Sequence, residues 1–228
     1  MEDQRASERP RSRRLPRAVR ERQILDAAVE VFAKHGFHNA SMDEIAETAS
    51  ISKPMLYAYL GAKDELFIAC VRREAAKLVD AIGADIGTDL TPADQLWHRL
   101  HMFFEYVHDN KAGWQLLHRQ GDVPGEPYVQ ELSEWRVRAT ELIAALLAEA
   151  TTNQPQPMQS EQTEPFAAAL VGAGEALVEW WFQHPEFTAE GMAMRLMNML
   201  WLGFGELVEG RSWFPSSTIP QSEDPTGS

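Results

Sequence analysis

The segment from Lys53 to Tyr59 carries side chains suited to contacts with a double-helical nucleic acid. Lys53 can pair with a phosphate or with guanine, and Met55 can touch a thymine methyl group. The hydroxyl groups of Tyr57 and Tyr59 can reach phosphate oxygens. If these four side chains share the outer face of a helix, that helix has the chemistry needed to enter a major groove.

A short helix is predicted just before this segment, where it would pack against the helix that carries Lys53 to Tyr59. Ser41 opens that helix, and Glu44 follows three residues later, which is the pattern of a capping box. Ile45, Ala46 and Ala49 give the helix an apolar face. Ala46 is small enough for a second helix to cross it closely, so we expect a helix-turn-helix here.

The second helix would begin after a turn that ends at Ser52. Ser52 is placed to cap it, and Pro54 is tolerated in a first turn, where backbone donors lack partners inside the helix. Leu56 and Leu60 are four residues apart and should point inward. Gly61 should end the helix with a positive φ.

The run from Ile24 to Val71 resembles the N-terminal DNA-binding domain of the TetR family of bacterial transcriptional regulators. It contains AAVEVFAKHGF followed by SMDEIAETASISKPMLYAYLGAKDEL, in the family's order and spacing. The resemblance implies that the recognition-helix contacts come from Lys53, Pro54, Met55, Tyr57 and Tyr59. It also implies phosphate contacts from Ser41, Ser52 and Lys63.

Three residues depart from the family pattern. Ser50 stands in the turn where glycine is usual, and a left-handed serine there would carry a strain of about 1 to 2 kcal/mol. Tyr59 replaces the usual histidine. Ala62 replaces the usual serine or threonine that caps the fourth helix. A different interpretation of the whole segment is a three-helix core with a polar outer face that binds no DNA, since helix-turn-helix geometry is not confined to DNA binding.

The charge of the chain is unevenly distributed. The 228 residues have a net charge of −13 and are 44% hydrophobic, enough for a substantial core. Residues 1–63 hold 11 Lys and Arg against 9 Asp and Glu, a net charge of +2, whereas residues 64–228 hold 10 against 25, a net charge of −15. The acidic part should repel DNA and help to orient the basic end towards it.

The opening arm is the most basic stretch. Its cations could serve phosphate attraction or minor-groove contact, and a solubilising extension is the alternative. Its arginines are Arg5, Arg9, Arg11, Arg13, Arg14, Arg17, Arg20 and Arg22.

The chain reads as a cytoplasmic protein that does not enter a membrane. Its one cysteine, Cys70, cannot form an internal disulfide and lies in an apolar helical stretch, where burial is expected. No leader pattern and no apolar run of about 18 residues is evident.

Helical periodicity continues to the end of the chain and predicts an all-α fold. We expect an N-terminal three-helix helix-turn-helix DNA-binding domain and a larger helical domain for ligand binding and dimerisation. The predicted segments are a disordered basic arm at 1–17, the DNA-binding domain at 18–62, the larger domain at 63–209 and a flexible tail at 210–228. The predicted helices run from about Ala18 to Gly36, over the two short segments, from Lys63 to Ile82, from Pro92, around Trp114, and over Tyr128–Ala150, Pro165–Phe182 and Thr188–Val208.

The TetR resemblance implies a ligand cavity and a dimer in the larger domain. Aromatic walls and adaptable methionines suit an apolar ligand, of which a fatty acid or fatty acyl thioester is favoured and a planar hydrophobic drug comes second. For each aromatic residue taken singly, packing in a core is the simpler interpretation. The candidate ligand-binding residues are Trp97, Phe103, Phe104, Trp114, Trp135 and Trp180. The last two helices would pair with those of a second subunit as a four-helix bundle, through Ala169, Gly172, Ala173, Leu196, Leu200 and Phe204.

Catalytic and cofactor motifs do not emerge. Gly172-Ala-Gly174 superficially resembles a dinucleotide loop, but no strand precedes it and Leu177 stands where the third glycine would be. His101 and Glu105 are one turn apart, which fits a solvated pair better than a metal site. We therefore expect no enzyme, no metal and no cofactor. The favoured function is a ligand-responsive, homodimeric repressor on a palindromic operator, and the alternative is a helical small-molecule-binding protein that does not bind DNA.

Overall fold

The computed structural model describes residues 16–84, 90–118, 126–152 and 157–208, without the side chains of 126, 127 and 202–208. Within these ranges the regular secondary structure is entirely α-helical, which confirms the all-α prediction. The helices are α1 (Arg17–Asn39), α2 (Met42–Thr48), α3 (Lys53–Leu60), α4 (Lys63–Gly83), α5 (Pro92–Asp109), α6 (Lys111–His118), α7 (Glu126–Ala150), α8 (Ser160–Phe182) and α9 (Ala189–Val208). Residues 1–15 of the predicted arm and the tail at 210–228 lie outside the described part.

The described chain divides into two compact units. The first unit contains the residues up to Glu74 together with Ala112–Leu132. The second contains Ala75–Lys111 and the residues from Ser133 onwards. The division therefore falls within α4, near the start of α6 and within α7.

The core of the first unit is formed where α1, α2 and α3 meet. Ile24, Phe32, Ile45 and Leu56 are fully buried there. Each comes from a position that the helical spacing places on an inner face. Gly36 has a φ of 75° and breaks the regular helix of α1, as the sequence predicted for a glycine at this end.

Aromatic rings extend this core towards α4 and α7. The ring of Phe67 lies 4.8 Å from that of Phe32 and 5.1 Å from that of Phe37 between centroids. The ring of Tyr128 lies 5.0 Å from Phe67, and its hydroxyl donates a hydrogen bond of 3.3 Å to the carbonyl of Leu116. The beginning of α7 and the end of α6 are thereby tied to the helices of the first unit.

An ionic cluster within the same unit connects α1 and α4 and reaches α6. The guanidinium of Arg73 lies 2.7 Å from a carboxylate oxygen of Asp26 and 2.7 Å from one of Glu74. Glu74 is buried, and the pairing with Arg73 offsets part of the cost of burying a carboxylate. A β-carbon at Gly113 would lie only 2.5 Å from Glu74 Oε2, so the glycine makes room for the carboxylate.

The second unit is built mainly from α5, α7, α8 and α9. The rings of Phe104 and Trp181 are both buried, with centroids 5.8 Å apart. The hydroxyl of Thr163 donates a 2.6 Å hydrogen bond to the carbonyl of Ala144, which links α8 to α7. Thr91 caps α5 by accepting from the amide of Asp94 at 3.2 Å, as expected before Pro92.

The predicted start of α8 at Pro165 is wrong. The helix begins at Ser160, and a capping box joins Gln159 and Gln162 at its N-terminus. Pro165 is the sixth residue of the helix, where its missing N–H removes one hydrogen bond without ending the helix. The prediction from the sequence started the helix at the proline and missed the glutamine pair before it.

Within the described ranges, none of the helices is long and apolar enough to cross a membrane. The same residues hold no group of three or more histidine, cysteine or acidic side chains arranged to bind a metal ion. His101 and Glu105 form a partly exposed pair, with Nε2 and Oε1 3.5 Å apart.

Candidate nucleic-acid interface

The opening of α2 holds Ser41 on the surface. The Ser41 hydroxyl accepts a 3.2 Å hydrogen bond from the amide of Asp43, so the predicted cap is present. The predicted return contact from Glu44 is wrong. Its carboxylate instead lies 3.0 Å from Nε2 of His35 on α1, because that tertiary partner lies within reach. Glu44 therefore joins two helices instead of completing a capping box.

The turn between α2 and α3 is a Schellman motif with serine in the left-handed position. The amide of Ser50 donates to the carbonyl of Glu47, and the amide of Ile51 donates to that of Ala46, both at 2.9 Å. Ser50 has a φ of 52°, so the left-handed conformation considered from the sequence is present. The side-chain amide of Gln23 on α1 donates to the carbonyl of Ala49 at 2.9 Å and fixes the turn against the first helix.

Local signals fix both ends of α3. Ser52 occupies the N-cap with extended backbone angles, but its side chain makes no capping hydrogen bond, so that part of the prediction is wrong. Pro54 lies in the first turn, as expected. Gly61 ends the helix with a φ of 71°, a conformation that favours glycine, and its missing β-carbon leaves room for the carboxylate of Glu65.

One face of α3 is anchored and the other is open. Leu56 is fully buried and Leu60 is half-buried. Away from this buried side, Met55 is 39% exposed and Tyr57 is 45% exposed. Lys53 and Pro54 are also exposed. A helix held in this way can offer its outer side chains to a groove without unfolding.

Tyr59 is less available than predicted. It is half-buried, and the guanidinium carbon of Arg17 lies 5.7 Å from the centre of its ring. This cation–π contact ties the end of α3 to the beginning of α1.

Lys53 already has a partner on its own surface. Its ammonium donates a 2.9 Å hydrogen bond to a carboxylate oxygen of Asp43 on α2. The pKa of Lys53 is raised, mainly by the hydrogen bond to Asp43 and to a smaller extent by the attraction between the two charges. The sequence reading did not identify this pair, because the two residues are ten positions apart on different helices.

Lys63 is partly engaged by the end of α1. Its ammonium donates a 3.1 Å hydrogen bond to the carbonyl of His38 and lies 4.8 Å from the centre of the Phe37 ring. An ammonium has three donors, so this bond leaves two for other acceptors. The amide of Ala62 donates to Glu65 Oε2 at 2.7 Å, and this bond compensates for the absent side-chain cap at the start of α4.

Both parts of the chain match descriptions of one protein family. Residues 24–70 match "Bacterial regulatory proteins, tetR family" and residues 92–203 match "Tetracyclin repressor-like, C-terminal domain". A solved TetR-like transcriptional regulator from Rhodococcus sp. RHA1 is 43% identical, with a TM-score of 0.68 over 84% of this chain and 99% of that chain. The protein belongs to the TetR family. Proteins of this family are DNA-binding transcriptional regulators.

Other relatives are similar over less of their length or at lower identity. The transcriptional activator FasR of Mycolicibacterium smegmatis is 37% identical over 119 residues, which are 52% of this chain and 54% of FasR. The chain spans about half the length of the curated relatives it matches. The regulator FadR of Bacillus subtilis, solved in complex with stearoyl-CoA, has a TM-score of 0.65 over 78% of this chain and 96% of FadR. At 17% identity, that likeness concerns the fold.

The six predicted ligand-binding residues are distributed over both units of this TetR-family chain. Trp114 belongs to the first unit and stacks on His118, with ring centroids 3.7 Å apart. Five belong to the second unit: Trp97, Phe103 and the buried Phe104 on α5, the buried Trp135 on α7 and the exposed Trp180 on α8. Trp180 stacks on His184 at 3.8 Å. The residue that packs on Phe104 is Trp181, which the sequence reading did not select.

The predicted dimer residues also differ in accessibility. Ala169 and Gly172 on α8 are exposed, and Ala173 and Leu200 are half-buried. Leu196 is only 1% exposed and packs inside its own chain, which argues against its place in an interface. The side chain of Phe204 lies outside the described residues. Large exposed apolar side chains on α9 are Met194, Met199 and Trp201.

Proposed function

We propose that this protein is a homodimeric regulator that binds a palindromic operator through α3 and leaves it when a hydrophobic small molecule binds. The exposed face of α3 is the observation that carries the proposal. Met55 and Tyr57 project from a helix that the buried Leu56 anchors. We assign the contacts with base edges and phosphates to Lys53, Pro54, Met55, Tyr57 and Tyr59, and further phosphate contacts to Ser41, Ser52 and Lys63.

We assign residues 18–62 to the DNA-binding domain and residues 63–209 to ligand binding and dimerisation. The net charge supports this division of roles, because residues 64–228 carry −15 and residues 1–63 carry +2. A polyanion is attracted to the basic end and repelled by the rest. A regulator that acts on bacterial DNA works in the cytoplasm, and we propose that location.

A second copy of the chain is the partner we propose for the outer faces of α8 and α9. Ala169 and Gly172 allow a helix to approach closely, while Met199 and Trp201 offer exposed apolar surface. Such a dimer presents two copies of α3 to successive major grooves, about 34 Å apart on one side of the duplex. An inverted repeat in the operator is the expected counterpart of the two-fold symmetry.

A fatty acid or fatty acyl thioester is the effector we propose. The second unit provides the apolar side chains that such a molecule needs, including Phe103 and Trp97. The solved FadR of Bacillus subtilis holds stearoyl-CoA, and it shares the fold of this chain. The ligand must bind the non-DNA-binding arrangement more tightly, because a ligand with equal affinity for both arrangements shifts nothing.

We infer repression as the direction of control, and the likeness to FasR supports activation as a second candidate. FasR is described as a transcriptional activator, and it is 37% identical over 119 residues. Transcription in vitro from a promoter that carries the operator distinguishes the two. A repressor lowers the yield of transcript and an activator raises it.

Selection of bound fragments from random duplex DNA tests the proposal. We expect an inverted repeat, bound by one or two dimers, and release when oleoyl-CoA or oleic acid is added. Coenzyme A without an acyl chain is the matched control for release. Recovery of no sequence preference would favour a helical small-molecule-binding protein that does not bind DNA.

A further inference from the structure

Asp43 and Lys53 form an ion pair on the outer surface of the helix-turn-helix. The pair joins the first turn of α2 to the first residue of α3, at 2.9 Å. Both helices are anchored nearby, because Ile45 and Leu56 are fully buried. The two charged side chains are themselves exposed, so the pair lies on the surface of the helix-turn-helix.

The pair places a carboxylate where DNA would be expected. The amide of Asp43 donates to the hydroxyl of Ser41, a residue to which we assign a phosphate contact. A phosphate that approaches this position meets the negative charge of Asp43 as well as the positive charge of Lys53. The neutralised pair therefore attracts the DNA backbone less than a solitary lysine would.

The pair also leaves Lys53 with a defined set of donors. An ammonium has three N–H groups, and Asp43 accepts from one of them. Two remain, and guanine presents two acceptors, O6 and N7, on its major-groove edge. A lysine held from one side and free to donate on the other is suited to such an edge.

We propose that Asp43 is a specificity-determining residue that directs Lys53 to a base edge and withholds it from phosphates. Asp43 acts through Lys53 and is therefore a positioning residue. It makes indiscriminate backbone binding weaker while leaving the contact with the correct base available. The inference rests on the proposed role of α3 in operator binding. It gives a physical reason why α3 would prefer the operator to other DNA sequences.

The full-length variant Asp43→Asn tests the proposal. Asparagine retains the backbone amide that binds Ser41 and removes the charge that holds Lys53. Affinities would be measured over a range of salt concentrations for the operator recovered by selection and for a scrambled duplex of equal length and composition. We expect the ratio of operator to scrambled affinity to fall about tenfold, mainly through tighter binding of the scrambled duplex. We also expect the salt slope on the scrambled duplex to steepen by about 0.9, because one more phosphate contact becomes available.

Glu47→Gln is the matched control. Glu47 is exposed and lies one turn later on the same helix, so this variant removes an equal charge from nearly the same face. General electrostatics should strengthen its binding to both duplexes alike and leave their ratio unchanged. In a Lys53→Gln background, Asp43→Asn should cause no further loss of discrimination.

The possible outcomes distinguish a failure of the role proposed for Asp43 from a failure of the proposed function. An unchanged ratio in Asp43→Asn, or an equal fall in Glu47→Gln, would overturn the role of Asp43 while operator binding stands. A wild-type protein that does not prefer the selected duplex would overturn the proposed function itself, and the inference with it. Urea midpoints of the variants show whether all of them are folded under the binding conditions.

Discussion

The hydroxyl of Tyr128 donates a hydrogen bond to the carbonyl of Leu116, at 3.3 Å. This contact joins the beginning of α7 to α6, while the Tyr128 ring packs 5.0 Å from that of Phe67 on α4. Three helices of the first unit therefore meet at one fully buried side chain. A polar group in this position stabilises the fold only in its neutral, hydrogen-bonded form.

The first prediction is a loss of stability at alkaline pH that depends on Tyr128. Burial raises the pKa of Tyr128 from 10.0 to about 12. The stability that comes from keeping the phenol neutral is therefore fully present below pH 10 and is lost as the pH rises towards 12. Each pH unit in this window should cost up to about 1.4 kcal/mol of unfolding free energy. Urea unfolding between pH 8 and 11.5 measures it.

Tyr128→Phe isolates this effect from the ionisation of other groups, because it removes the titrating hydroxyl and keeps the ring. The difference in stability between wild type and this variant should shrink as the pH rises above 10. Tyr57→Phe is the control, since it removes the same hydroxyl group from an exposed side chain. A difference between wild type and Tyr128→Phe that stays constant across the pH range would contradict the prediction.

The second prediction concerns the left-handed Ser50. Serine pays about 1 to 2 kcal/mol for this conformation, whereas glycine adopts it freely but loses more chain entropy on folding. Ser50→Gly should therefore raise the unfolding free energy by about 1 kcal/mol. Ser50→Ala keeps the β-carbon and should give no comparable gain. Equal midpoints for the glycine and alanine variants in urea would show that backbone strain at this turn is not relieved.

The third prediction assigns Lys63 to a phosphate. Its ammonium has two donors beyond the bond to His38. Lys63→Ala should weaken binding to all duplexes alike and reduce the salt slope by about 0.9. Lys111→Ala, an exposed lysine in the second unit, should leave the slope unchanged. A wild-type slope for Lys63→Ala would remove this lysine from the phosphate contacts.

The fourth prediction tests the dimer face. Met199 is 60% exposed on α9, and Met199→Glu would place a charge in the proposed interface. The dimer should weaken by about tenfold or more, because a buried unpaired charge is costly. Sedimentation at several concentrations measures the dissociation. Val137→Glu alters an apolar residue of similar exposure on α7 and should leave the dimer intact; equal effects of the two substitutions would argue against α9 as the interface.

The sequence predicted those features that depend on neighbours along the chain. Pro54 fits the first turn of α3, Leu56 lies on its inner face, and Gly61 ends it with a positive φ. Each of these three features depends on the covalent geometry of one residue or on the spacing of residues along a helix. Covalent geometry and helical spacing are local properties of the sequence. The helix-turn-helix and the all-α class could therefore be predicted with little knowledge of the remainder.

The partners of long polar side chains could not be predicted in the same way. Glu44 matched a capping box and binds His35, and Lys53 was assigned to DNA alone and also binds Asp43. The partner of a long polar side chain depends on which helix packs within a few ångströms of it. Local sequence patterns do not reveal that packing. Trp114 was grouped with aromatic residues of the larger domain for the same reason, although α6 packs within the first unit.

The close approach of Glu74 to Gly113 links two positions that are far apart in the chain. A β-carbon at residue 113 would meet the carboxylate at 2.5 Å, and that carboxylate is the buried partner of Arg73. Homologues that carry alanine or a larger residue at position 113 should therefore carry a shorter side chain at position 74. We therefore expect the two positions to covary among homologues, with position 113 changing only after position 74 has become smaller.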